Sequence, residues 1–235
     1  MSKTALITGA NKGLGLETAR QLARDHGFTV YLACRNEGRG KEAEQLLKSE
    51  GLDARFVQLD VTDADSIKAA AAQLEALDVL INNAGIMLEH DFKVGGVPSE
   101  NWKETFDVNF FGAVDVTNAF LPLLDKSPMP RIVNLSAILG SIAEISKPQM
   151  KQWIRASYSA SKAALNAYTV ELAQEKAGTN YKINAVHPGW AKTDLGGDKA
   201  PMTAAQGVKT TIQLATLDND GPTGQFLHMG KTMNW

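Results

Sequence analysis

The stretch Thr4-Ala5-Leu6-Ile7-Thr8-Gly9-Ala10-Asn11-Lys12-Gly13-Leu14-Gly15 decides how the rest of the chain is read. A short apolar run breaks at Gly9 and gives way, past Gly13 and Gly15, to a helical pattern over 14–26. Glycines at such a turn let the backbone bend tightly and approach a pyrophosphate, which then sits on the positive N-terminus of the following helix. A plain tight turn between strand and helix would use the same glycines. The place of this turn, after a first strand and at the head of a β-then-α chain, favours the phosphate reading.

The same alternation continues to the end of the chain. Strand patterns fall at Thr4–Thr8, Phe28–Cys34, Arg55–Leu59, Asp78–Asn82, Arg131–Leu135, Lys182–Val186 and Gln225–His228. Most are unbroken apolar runs, as expected of a parallel sheet covered on both faces. Helical patterns lie between them at 14–26, 37–50, 63–77, 99–124, 158–177 and 203–217, with Ser99 after Pro98 as an expected N-cap and Ala69–Ala72 as helix-forming filler. The expected fold is α/β: a Rossmann-like, doubly wound parallel sheet of about seven strands in three α/β/α layers. One domain over 1–235 is expected, with no linker or repeat. The loops 138–157 and 188–202 are long enough to carry a substrate site.

Composition narrows the function. The 235 residues are 44% hydrophobic and 21% charged, ordinary for a protein with a sizeable core, and the net charge of −2 offers no basic field for nucleic acid or an anionic membrane. No apolar run is long enough to span a bilayer, and the first residues lack the layout of a signal peptide. Cys34 is the only cysteine, which suits a reducing compartment, so a cytoplasmic protein is expected. Neither Cys34 nor the histidines at 26, 90, 187 and 228 show metal-like spacing, and no metal is expected.

The second strand ends Ala33-Cys34-Arg35, where an NAD-binding protein usually places an acid against the ribose 2′-hydroxyl. Here Arg35, Arg39 and Lys12 converge instead, and converging cations favour a 2′-phosphate, hence NADP(H). Arg35 and Arg39 could also simply solvate a helix start, and Glu37 is adequately explained by the helix dipole.

Further along come Asp60-Val61, Asn82-Asn83-Ala84-Gly85, Asn109, Tyr158-Ser159-Ala160-Ser161-Lys162 and Pro188-Gly189. Each alone is weak. In this order, each at the correct strand end, they resemble the short-chain dehydrogenase/reductase family over the whole chain. Ala10-Asn11-Lys12-Gly13, Arg35 and His187-Pro188-Gly189-Trp190 are similar to its NADPH-dependent carbonyl reductase branch. The resemblance implies a cofactor site of Gly9, Asn11, Lys12, Gly13, Leu14, Gly15, Arg35, Arg39, Asp60, Val61, Asn83, Ala84, Gly85, Tyr158, Lys162, Pro188, Gly189, Ala191 and Thr193. Within it, Asp60 and Val61 would border the adenine, Asn83 the adenosine ribose, and Ala191 and Thr193 the nicotinamide amide.

Carbonyl reduction needs a hydride donor and a proton donor at the oxygen. Tyr158 and Lys162, at i and i+4, share a helix face. A tyrosine ordinarily titrates near about 10, and a neighbouring ammonium favours its phenolate. The resemblance makes Tyr158 the proton donor, gives Lys162 a bond to the nicotinamide ribose and has Asn109 hold a water in the proton path. Read without the family, Asn109 is a polar group satisfying backbone. The substrate would be a small carbonyl compound, or the corresponding alcohol, with Met87, Ile138, Trp153, Trp190 and Met202 as candidates for an apolar pocket. Family members often pair through their long helices, so a homo-oligomer is one expectation; a 138–157 loop covering that surface is the other.

The departure is at the fifth strand, Asn134-Leu135-Ser136-Ala137. The family has a second serine at position 137 that bonds the substrate carbonyl, so catalytic position 137 is occupied by a residue with no donor. Ser136 is a poor substitute because successive strand side chains point to opposite faces; Ser141 is the other candidate. Three readings follow: an active enzyme inactivated by substitution, which the otherwise complete site favours; a naturally weak enzyme; or a cofactor-binding sensor that does not catalyse. On sequence alone, Ala137→Ser should raise turnover by about 10²–10³.

Overall fold

A computed structural model describes residues 2–89, 93–153 and 155–235, so His90 lies outside the described residues. One eight-stranded sheet runs in the order β3-β2-β1-β4-β5-β6-β7-β8. Its strands are β1 (Thr4–Thr8), β2 (Thr29–Cys34), β3 (Ala54–Gln58), β4 (Val79–Asn82), β5 (Arg131–Leu135), β6 (Lys182–Val186), β7 (Phe226–His228) and β8 (Lys231–Thr232). The first seven pair in parallel. The helices are α1 (Gly13–His26), α2 (Glu37–Ser49), α3 (Ala64–Ala71), α4 (Ser99–Phe106), α5 (Gly112–Leu124), α6 (Ile142–Ile145), α7 (Ala156–Glu175), α8 (Ala204–Gly207) and α9 (Lys209–Ala215).

The pleat explains the unbroken apolar runs. In β1, Ala5 and Ile7 pack into one core cluster while Leu6 packs into the other, so both faces are buried. The first cluster takes in α1, α2 and α9 through Leu22, Leu47 and Ile212; the second takes in α3, α5 and α7 through Ile67, Phe120 and Leu172. Strand order reverses between β1 and β4, which opens a crevice at the carboxyl ends of the strands.

Several expectations need correction. The described residues form eight strands, because Met229 and Gly230, with φ of 47° and 76°, form a tight hairpin that folds β8 back antiparallel onto β7. Positive φ at both turn residues is the geometry of a two-residue hairpin, but Met-Gly carries little of the usual sequence signal. The helix expected over 63–77 stops at Ala71, and the chain then turns to bury Leu74 and Leu77. Pro98, not Ser99, is the N-cap of α4, and its helix makes no side-chain cap bond. The helix expected over 99–124 is interrupted at Asp107–Phe111 by a wider π-turn, in which the Gly112 amide reaches back to Asp107 O. The helix expected over 203–217 is split into α8 and α9 at Val208. Among the described residues no helix is long and apolar enough to cross a membrane.

Candidate active site

The β1–α1 turn is built for close approach. Gly9 and Gly13 have φ of 64° and 57°, and a Cβ on Gly15 would lie 2.6 Å from both Gly9 O and Asn83 Nδ2. The first turn of α1 has no side-chain cap and no acidic residue, which leaves its backbone N–H groups for an anion. The Thr8 hydroxyl accepts from the Asn83 and Ala84 amides at 3.0 and 2.9 Å, and Asn83 Nδ2 donates to Thr8 O at 2.7 Å. Asn83 thus ties the ends of β1 and β4 together.

A cleft of about 420 Å³ runs from this turn across the carboxyl edge of the sheet. Cys34 lines it but is buried, and burial pushes its thiol above the usual range. Arg35 is exposed and lines the cleft; among the described residues its guanidinium has no partner. Arg39 lies outside the cleft proper, in an adjoining recess shared with Asn11, Lys12 and Asp194. The Lys12 ammonium pairs with the Asp194 carboxylate across the opening. The Lys12 partner depresses the Asp194 pKa, with a smaller contribution from Arg39. The donors and cations suit a dinucleotide carrying an extra ribose phosphate.

At the other group of lining residues, α7 delivers Tyr158 and Lys162, 8% and 3% exposed. Lys162 Nζ donates to Leu135 O at 2.7 Å and stands 5.8 Å from the centre of the Tyr158 ring. The sequence suggests a phenol drawn down by this ammonium. Among the protein's own groups burial wins instead: it pushes Tyr158 up to about 12 and Lys162 down to about 8. Gly85 is bare for a reason, since a Cβ there would sit 3.3 Å from Asn109 Oδ1 and 3.5 Å from Lys162 Nζ.

Asn109, on the π-turn, is behind the wall. Its Oδ1 accepts from Ile86 N at 2.8 Å, and its Nδ2 donates to Ile86 O at 2.9 Å and Ser161 Oγ at 3.1 Å. The side chain is therefore held by the backbone of Ile86 and the hydroxyl of Ser161.

Ala137 lines the cleft as expected, at 9% exposure. Neither nearby serine replaces the missing hydroxyl. Ser136 Oγ donates to Lys162 O at 3.4 Å, and the fully buried Ser141 caps α6 by accepting from Glu144 N. His187, to which the sequence assigns no chemistry, lines the same cleft. Trp190 lines it too, with Trp153 edge-on at 5.1 Å, while Met202 packs against Gly189 and Met87 and Ile138 are not part of the lining. Every other expected cofactor residue lines the one cleft, so only Arg39 and Asn109 fall outside it. Asp194 and Leu195, to which the sequence assigns no role, join from the loop after β6 beside the expected Thr193.

Residues 3–204 match the sequence model of the short chain dehydrogenase family. The chain belongs to that family. Its relatives include human carbonyl reductase [NADPH] 1, 34% identical with 98% of each chain covered, and (−)-isopiperitenone reductase of Mentha piperita, 33% identical with 99% of this chain and 98% of the relative covered. Among solved structures, the carbonyl reductase Sniffer of Drosophila melanogaster superposes with a TM-score of 0.87 at 30% identity over the full length of both chains. NADPH-bound carbonyl reductase from chicken fatty liver gives 0.85 at 32%, covering 100% of this chain and 99% of that one.

Proposed function

We propose that this protein is an NADPH-dependent reductase of aldehydes or ketones, acting as one cytoplasmic domain over 1–235. The observation that carries the proposal is Tyr158: a buried phenol, beside Lys162 and with no protein partner among the described residues, opening into a cleft that also gathers a glycine turn and Arg35. The relatives named for NADPH support the cofactor choice. The backbone donors of the β1–α1 turn would hold the pyrophosphate, and Arg35 with Lys12 and Arg39 the 2′-phosphate.

When bound, the reduced nicotinamide supplies a hydride to the carbonyl carbon. Tyr158 gives its proton to the carbonyl oxygen as charge builds there. A phenol pushed to about 12 stays protonated at neutral pH, the form that reduction requires. Lys162, at about 8, is mostly charged at neutral pH and stabilises the phenolate as the proton leaves. The Trp190–Trp153 pair offers an apolar face to the organic part of a small substrate.

Ala137 supports a second reading, a cofactor-binding sensor with little turnover. Loss of NADPH absorbance with a panel of aldehydes and ketones separates the two. The reductase reading expects turnover that Tyr158→Phe abolishes. Tight NADPH binding with no turnover on any member of the panel favours the sensor.

A further inference from the structure

The missing hydroxyl at position 137 leaves a question of chemistry: what else meets the oxygen? We propose that His187 is a catalytic residue of this site, a neutral imidazole whose Nε2–H donates to the substrate carbonyl oxygen in place of the absent serine. The inference rests on the reductase reading above.

The tautomer follows from the hydrogen bonds. The backbone N–H groups of Ile138 and Gly189 both point at His187 Nδ1, at 3.2 and 3.4 Å. A backbone N–H only donates, so Nδ1 must accept and the ring's proton sits on Nε2. A second proton has no place. Burial and the nearby His228 hold the ring's pKa down at about 3, so it is a neutral donor throughout the physiological range. Triosephosphate isomerase shows that a neutral imidazole held this way can polarise a carbonyl.

The position is equally constrained. The bond to Ile138 N sets the imidazole against the residue that follows Ala137. His228 lies against its other side, ring centres 4.5 Å apart, and His228 Nδ1 donates to His187 O at 2.8 Å. His187 N in turn donates to Leu227 O. The ring is thus held by the amides of Ile138 and Gly189, just past β5 and β6, and its backbone is tied to β7, a rigid mounting of the kind electrostatic catalysis requires. His187 shares the cleft with Ala137 and Tyr158, and among the described residues Nε2 has no protein partner. The Ser136 hydroxyl donates to Lys162 O, and Ser141 is fully buried and does not line the cleft.

In the step itself the carbonyl π-bond breaks as the hydride adds to carbon, and the oxygen takes the proton of Tyr158. His187 keeps its proton throughout and stabilises charge only. Alanine at 137 is then part of the design: it leaves room for the oxygen to lie against an imidazole.

The test is a cycle of variants, with NADPH and 4-nitrobenzaldehyde as the probe. His187→Phe should lower kcat by about 10²-fold while the NADPH Kd stays within about twofold, because one donor of this kind is typically worth that much and acts on the transition state. His187→Gln keeps an N–H at similar reach and should recover a substantial part of the loss, which a packing role would not predict. Ala137→Ser should gain less than about tenfold in the unaltered protein, yet restore most of the rate in the His187→Phe background. Near-full kcat in His187→Phe, or a gain of about 10²-fold from Ala137→Ser alone, overturns the role of His187 and leaves the reductase reading intact. Bound NADPH with no turnover in any of these proteins overturns both.

Discussion

The two edges of the sheet treat their polar groups in opposite ways. At the amino edge, Asp78 accepts from Thr4 N and Thr4 Oγ1 with one oxygen and from Ser127 Oγ with the other, at 2.7, 3.1 and 2.5 Å. Beside it, Arg131 is 1% exposed and donates to Leu217 O, Pro130 O, Asn180 O and Asn219 Oδ1. No carboxylate pairs with that guanidinium among the described residues; carbonyl dipoles solvate it, and burial lowers its pKa. At the carboxyl edge, Tyr158, Arg35 and His187 line a cleft, and among the described residues the Tyr158 hydroxyl, the Arg35 guanidinium and His187 Nε2 have no protein partner. Parallel strands make this division natural, because the seven parallel strands end at the same edge and the helices that follow turn their N-termini toward it. One edge spends its hydrogen bonds on holding loops in place. The other keeps them for a ligand.

The sharpest way to break this comparison is at Tyr158. Tyr158→Phe should cost about 10³-fold or more in turnover while NADPH affinity stays within a few-fold, since a positioned general acid typically supplies 10²–10⁴. Retention of most of the rate in a steady-state assay would show that the proton comes from elsewhere. The matching change at the amino edge is Arg131→Met, which removes the donor shared by four acceptors, although Pro130 O keeps its bond from Lys182 N and the exposed Asn180 and Asn219 can turn to water. It should lower unfolding free energy by about 1–2 kcal/mol, the scale of lost hydrogen bonds, and leave kcat of the folded protein near its original value. Denaturant melts and low-temperature kinetics together check it. Lost activity in a still-folded variant would mean that the edges are coupled.

An effect smaller than that at Tyr158 is expected at Arg35. A charge-assisted bond is typically worth about 1.5–3 kcal/mol, so Arg35→Ala should weaken NADPH by roughly 10–100-fold and spare NADH. Fluorescence titration of both cofactors decides it; equal weakening of the two would remove the 2′-phosphate from this position.

Legibility in the sequence also divides along these edges. The strands of the sheet core were readable because their apolar runs reflect burial on both faces, and the glycine turn because its conformation excludes other residues. The cleft was readable as far as residue types have dedicated roles there, as Tyr158 and Lys162 do. Sequence pattern failed where a tertiary contact decides. The Ala-rich run at 69–72 reads as continuing helix, but burial of Leu74 and Leu77 ends it. Asn109 reads as a site residue, but the π-turn that aims its side chain at Ile86 has no sequence signature. His187 was invisible because its partners, the amides of Ile138 and Gly189 and the ring of His228, include groups distant in the chain. Backbone donors have no sequence signature at all.

The smallest predicted effect separates the edges by pH. An unfolded histidine takes up a proton near its ordinary value of 6.5, whereas folded His187 stays neutral down to about 3. Between those values the unfolded chain binds more protons than the native one, so stability falls as pH falls; the contribution is fully present above 6.5 and is lost toward 3. His187→Gln has no such proton to take up, and its stability should decline less steeply between pH 6.5 and 5, by up to one proton's worth of slope. The exposed carboxylates Asp25, Glu37 and Asp194, held below their usual range by neighbouring cations, respond at lower pH and equally in both proteins. Arg131→Met should instead lower the whole curve without changing its slope, because that guanidinium exchanges no proton in this range. Urea melts at a series of pH values compare the three proteins. Parallel curves for His187→Gln and the unaltered protein would mean that the native imidazole does take up a proton, and the fixed Nε2–H tautomer on which its role depends would fall with it.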